Sequence, residues 1–66
     1  MKVWMVILIA GRVIGAEGPL PYTIDECRRA TAEVRDIAVN GIRKELPYTD
    51  VSQIVLECRY SDTEPR

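Results

Sequence analysis

The run Val3-Trp4-Met5-Val6-Ile7-Leu8-Ile9-Ala10 constrains this chain more than any other stretch. Side chains alternate across a strand. Val3, Met5, Ile7 and Ile9 therefore point one way, and Trp4, Val6, Leu8 and Ala10 the other. Both faces are apolar, and such a strand needs cover on two sides. The remaining sequence carries one helical pattern, and one helix covers one face. The other face has to meet a partner, a second copy, or water at a cost, unless strand curvature and loops close over it.

The chain has 66 residues, enough for one domain. A domain this short buries only about 60% of its unfolded surface and is marginal without a staple or a partner. Nine basic and ten acidic residues give a formal charge of −1, so the basic excess of a general nucleic-acid binder is missing. Histidine is absent, which removes the commonest general base and zinc ligand. Two cysteines, Cys27 and Cys58, cannot complete a tetrahedral metal site unless two chains share it. No metal and no cofactor is expected.

The elements read in the order ββαβ. The first strand covers about Lys2 to Ala10, and Ala10-Gly11-Arg12 is a tight reversal. A short second strand follows over Val13–Glu17, ended by Gly18-Pro19-Leu20-Pro21. Thr23-Ile24-Asp25-Glu26 is a capping box that opens a helix from Ile24 to about Glu45, with Pro47 as its stop. Gly41 inside it suggests close packing or a frayed last turn. At ~100° per residue, Ile24, Cys27, Ala30, Thr31, Val34, Ile37, Ala38, Gly41 and Ile42 share one side. Asp25, Glu26, Arg29, Glu33, Asp36, Asn40 and Arg43 share the other.

Ser52 to Tyr60 is the third strand, with Ile54, Leu56, Cys58 and Tyr60 on one face and Gln53, Val55, Glu57 and Arg59 on the opposite one. The expected fold class is α+β: a three-stranded antiparallel sheet in order 2-1-3 with one helix packed on one face. Residues 1–60 form the domain, and residues 61–66 are expected to be a flexible tail.

Cys27 and Cys58 approach one core from opposite layers. A structural disulfide, two buried free thiols and a redox pair are the three readings. The redox reading lacks a Cys-x-x-Cys motif and a histidine. Closing a loop of about 32 residues is worth roughly 3–4 kcal/mol in the chain-entropy model.

Two surfaces are candidates for function. One is the open sheet face: with Met5, Ile7 and Ile9 under the helix it carries Trp4, Val6, Leu8 and Val55, and the reversed assignment stays open; tryptophan is enriched in binding hot spots. The other is the polar helix face, where Asp25, Glu26, Glu33 and Asp36 form a carboxylate stripe with Arg29 and Asn40 interleaved. The stripe suits a basic groove, and it equally suits a solvated helix with pairs such as Arg29–Glu33. The exposed carboxylates lack a pocket that would shift their pKa values, and Gly11, Gly15 and Gly18 match no phosphate-loop spacing. A non-enzymatic protein is expected.

The N-terminus also reads as a secretion signal, with Lys2 as the charged start, Val3–Ala10 as the apolar region and Gly15-Ala16 as a cleavage site. Arg12 interrupts that pattern. The run is too short for a membrane span, which needs roughly 20 apolar residues.

In size, mild acidity, lack of a catalytic constellation, and the look of Gly18-Pro19-Leu20-Pro21-Tyr22 leading into Ile24-Asp25-Glu26-Cys27, the chain resembles small phage- and prophage-encoded inhibitors. Within that group it is similar to the anti-CRISPR proteins, including those directed at type I-C systems. The resemblance implies a host protein as partner, a DNA-binding subunit of a CRISPR effector complex, in the host cytoplasm. It implies no direct contact with nucleic acid or membrane, and a monomer or weak homodimer. No residue is carried over by motif. The expected protein-binding residues, Asp25, Glu26, Arg29, Glu33, Asp36, Asn40 and Trp4, come from the surface argument. The rival expectations are a disulfide-stapled secreted or periplasmic domain, and an accessory subunit that dimerises through the open sheet face.

Overall fold

A computed structural model describes residues 1–66. It has strands β1 (Lys2–Ile9) and β2 (Arg12–Leu20), helix α1 (Ile24–Glu45), a short 3-10 turn (Val51–Gln53) and strand β3 (Ile54–Ser61). The sheet is antiparallel throughout, in the order β2-β1-β3. This is the α+β fold expected from sequence, with the doubly apolar strand at its centre.

β1 turns into β2 through Ala10 at φ 51° and Gly11 at φ 79°. Two positive-φ residues match the right-handed twist of the flanking strands. β2 is longer than its sequence predicts. It runs through Gly18-Pro19 to Leu20, with register irregularities opposite Val3–Met5 and Ile7–Leu8. Proline is tolerated there because β2 is an edge strand, and its outer N–H groups need no ladder partner. β3 starts two residues later than expected. Asp50 accepts from the Ser52 N–H at 2.9 Å and winds Val51–Gln53 into the turn that precedes it.

In α1, Thr23 and Glu26 form the expected reciprocal cap, with 3.2 Å bonds in both directions. The C-terminal end closes with the Leu46 N–H on the Ile42 carbonyl, ahead of Pro47. The helix lies over β3 and β1 rather than over β2. Its buried stripe is accordingly rotated from the sequence expectation. Cys27 and Val39 are buried, and Ile24, Ala30, Thr31, Ala38 and Ile42 are half-buried. Val34, Ile37 and Gly41, assigned to the buried side from periodicity, are exposed. Gly41 faces open space. A Cβ at that position would meet nothing within 4 Å, so the glycine serves no close packing.

One core cluster forms under the helix from Val3, Met5, Cys27 and Cys58, with Ile7, Leu20, Ile24 and Leu56 against it. Met5 pairs with Cys58 across β1–β3, which brings that cysteine under the first helical turn. Cys27 and Cys58 are joined as a disulfide, with their Cα atoms 6.1 Å apart. Of the three readings, the bonded pair is the one observed.

The helix therefore covers the Met5 face, and Trp4, Val6 and Leu8 lie on the far face. That face is closed at its Trp4 end and partly open at its other end, where Leu8 is half-buried and Val55 is 47% exposed. Trp4 is 7% exposed and Val6 fully buried. After β3 the chain turns back, and Glu64, Pro65 and Arg66 line a shallow hollow with Val13, Ile14, Gly15 and Ala16 of β2. β3 and β2 flank β1 on opposite sides, and α1 occupies the Met5 face. The segment from Ser61 to Arg66 thus runs from β3 to the β2 side of the sheet. Ser61, assigned to the tail from sequence, is the last residue of β3, and its carbonyl accepts from the Trp4 indole N–H at 3.0 Å.

Candidate functional site: the outer face of the helix

Asp25, Glu26, Arg29, Glu33, Asp36 and Asn40 are all exposed on α1, in agreement with the stripe expected from sequence. Helical spacing puts Arg29, Glu33, Asp36 and Asn40 in one row along the axis, at steps of three or four residues. The helix holds this row rigid. Its first turn is tied by the disulfide to β3 and by the capping box to the preceding loop.

The carboxylates are not equivalent. Glu26 is held below the ordinary glutamate range chiefly by the Thr23 backbone N–H, then by the Thr23 hydroxyl, with a smaller contribution from Arg29. Its charge is engaged within the cap. Asp25 lies 3.6 Å from Arg28 in an exposed i,i+3 pair. That pair forms in place of the Arg29–Glu33 pair expected from sequence. Glu33 and Asp36 make no ion pair and no side-chain hydrogen bond, so both are free to meet a cation.

Trp4 does not belong to this surface. It lies on the far face, opposite Met5 in the alternation of β1, where it is buried and the Ser61 carbonyl takes its N–H. The residues missed from sequence are Tyr22, Val34 and Ile37, all exposed, Ile37 at 74%. Tyr22, Glu26, Arg29, Ala30 and Glu33 together line a shallow depression of about 430 Å³. A smaller groove of about 200 Å³ runs beside it between α1 and β2, lined in part by Leu20, Tyr22, Ala30 and Val34. The signal that marks Val34 and Ile37 is the width of the apolar arc. Nine residues spread over one side exceed what a helix can bury against two strands.

No known protein family, curated protein or solved structure matches this chain.

Nowhere do three or more aspartate, glutamate or cysteine side chains come together in a group that could hold a metal ion. Chemically, the outer face of α1 offers two unpaired carboxylates, an interleaved guanidinium and an adjoining apolar strip. That combination suits docking against another surface. Where two protein surfaces dock, charged groups set register and apolar neighbours exclude water.

Proposed function

We propose that this chain is a non-enzymatic protein-binding inhibitor that docks through the outer face of α1 onto a basic, nucleic-acid-binding surface of a protein partner. The observation that carries the reading is the free state of Glu33 and Asp36 beside the exposed Tyr22, Val34 and Ile37. In the specific form implied by the resemblance to anti-CRISPR proteins, the partner is a DNA-binding subunit of a type I CRISPR effector complex in the host cytoplasm. Carboxylates at the spacing of a helix face take the place of target-DNA phosphates, and the bound domain blocks entry of the duplex. Charge pairing of this kind speeds encounter and fixes register more than it adds affinity.

The test is target-DNA binding by a purified type I effector complex, titrated with the intact chain and with Glu33→Lys/Asp36→Lys. The intact chain is expected to suppress DNA binding, and the variant, with an unchanged thermal midpoint, to lose that effect. Equal suppression by both sinks the helix face as the site. No suppression by either sinks the inhibitor reading.

The Cys27–Cys58 disulfide favours a second reading, a stapled domain working in an oxidising compartment. In that reading cleavage near Gly15-Ala16 would remove β1, the central strand, so an exported form has to keep its N-terminus to retain this fold. Intact-mass analysis of the chain recovered from each compartment separates the two.

A further inference from the structure

The free edge of β3 is a second surface, and its backbone is incompletely satisfied. The Ala10 N–H donates to the Gln53 carbonyl at 3.1 Å, which sets the odd-numbered residues of β3 toward β1. In an antiparallel ladder the alternate residues then direct both backbone groups outward. Ile54 points outward and is already satisfied: its N–H bonds the Val51 carbonyl, and its carbonyl accepts from Arg35 at 3.4 Å. Leu56, Cys58 and Tyr60 point outward with no such partners. β3 has no proline, glycine or bulge, and its charged residues Glu57 and Arg59 are of opposite sign, whereas β2 has Gly18-Pro19 and two irregularities.

We infer that β3 pairs antiparallel with β3 of a second copy about a two-fold axis at Cys58. The sheet becomes six-stranded in the order β2-β1-β3-β3-β1-β2. This register places Leu56 opposite the partner's Tyr60 and Cys58 opposite the partner's Cys58, so every free outward group of the three residues is paired. It also places Glu57 opposite the partner's Arg59 on the far face, twice by symmetry. Within one chain these two side chains already bond at 2.8 Å, so both have the reach and exposure for the exchange. Moving the axis by one residue sets Glu57 against the partner's Glu57, or Arg59 against the partner's Arg59, and like charges directly opposite are unfavourable. Moving it to Leu56 runs into the capped Ile54, and moving it to Tyr60 runs off the strand at Ser61.

The side chains agree with the backbone. Tyr60 is 51% exposed on the helix side of the sheet. On that side, a depression of about 190 Å³ lies between α1 and β3, lined by Arg28, Thr31, Ala32, Arg35, Leu56 and Cys58. The partner's Tyr60, opposite Leu56, enters this depression, where the two guanidinium groups can lie over its ring. The interface is isologous and closes as a dimer, leaving no edge of β3 to recruit a third chain. The outer face of α1 described above is a separate surface.

Sedimentation equilibrium over a wide concentration range, with amide hydrogen exchange, tests the inference on the full chain. The intact chain is expected to dimerise, with the Leu56, Cys58 and Tyr60 amides gaining protection as concentration rises. Glu57→Arg and Arg59→Glu, each alone, should weaken the dimer by about tenfold, through two like-charge contacts per dimer. Glu57→Arg/Arg59→Glu together should restore it, because the swapped charges again face their opposites. A monomer at every concentration overturns the inference. So does a dimer that neither single charge reversal weakens, or one that the double swap fails to restore.

Discussion

Single residues on the far sheet face show how little space separates the layers. Gly18 sits at φ 150°, and a Cβ there would lie 2.8 Å from the Trp4 ring and 3.1 Å from the Val3 carbonyl. The indole cannot swing out without losing its 3.0 Å bond to the Ser61 carbonyl. Gly18→Ala should therefore cost about 1–3 kcal/mol, from backbone strain and displacement of the ring. Urea denaturation monitored by Trp4 fluorescence checks this; an unchanged midpoint would mean that the ring relaxes freely. Trp4 also shows what a residue-level reading misses. Alternation set it opposite Met5 without saying which of the two the helix covers, and its indole N–H finds its partner 57 positions away in the chain.

At the scale of elements, the start of α1 was legible because a capping box is local. Thr23 and Glu26 are three residues apart, and both bonds are present. The cap also gives a pH dependence with a definite sign. Hydrogen bonds to Thr23 lower the folded-state pKa of Glu26, so its contribution is complete above the ordinary glutamate pKa. It is lost as the pH falls through the lowered value. Asp50 behaves alike through Ser52 at the turn before β3. Thermal midpoints of the intact chain should fall on acidification through this range, and Glu26→Gln should show a shallower fall. Parallel curves would show that the cap does not titrate with folding. The helix face was legible only in part. Periodicity put Val34 and Ile37 with the core, yet the sheet that receives the helix is only three strands wide and α1 lies to one side of it. Val39 is buried instead because β3 and β1 lie on its side of the helix.

For the whole molecule, the last residues matter because Glu64, Pro65 and Arg66 return to lie beside Val13–Ala16 of β2. A 66-residue domain with few buried residues depends on each covering layer. Truncation after Ser61 should uncover Trp4 and Val6, lower stability by about 1–3 kcal/mol and shift Trp4 emission to the red. Chemical denaturation and emission spectra together read both effects. An emission maximum that stays in place would mean that Pro65 and its neighbours do not cover the ring. On the far face Val55 stays 47% exposed and Leu8 half-buried beside the buried Trp4 and Val6.

Local and periodic signals determined the element order, the capping box, the central place of β1 and the pairing of the two cysteine-bearing layers. These rest on interactions between near neighbours or on alternation within one strand, which the sequence writes directly. Where α1 sits across the sheet, which apolar residues it leaves exposed, and what covers Trp4 were decided by the tertiary structure alone. Each depends on the lateral position of one element over another. That position is set by packing volume, the Cys27–Cys58 bond and the path of the last residues, none of which has a period in the sequence.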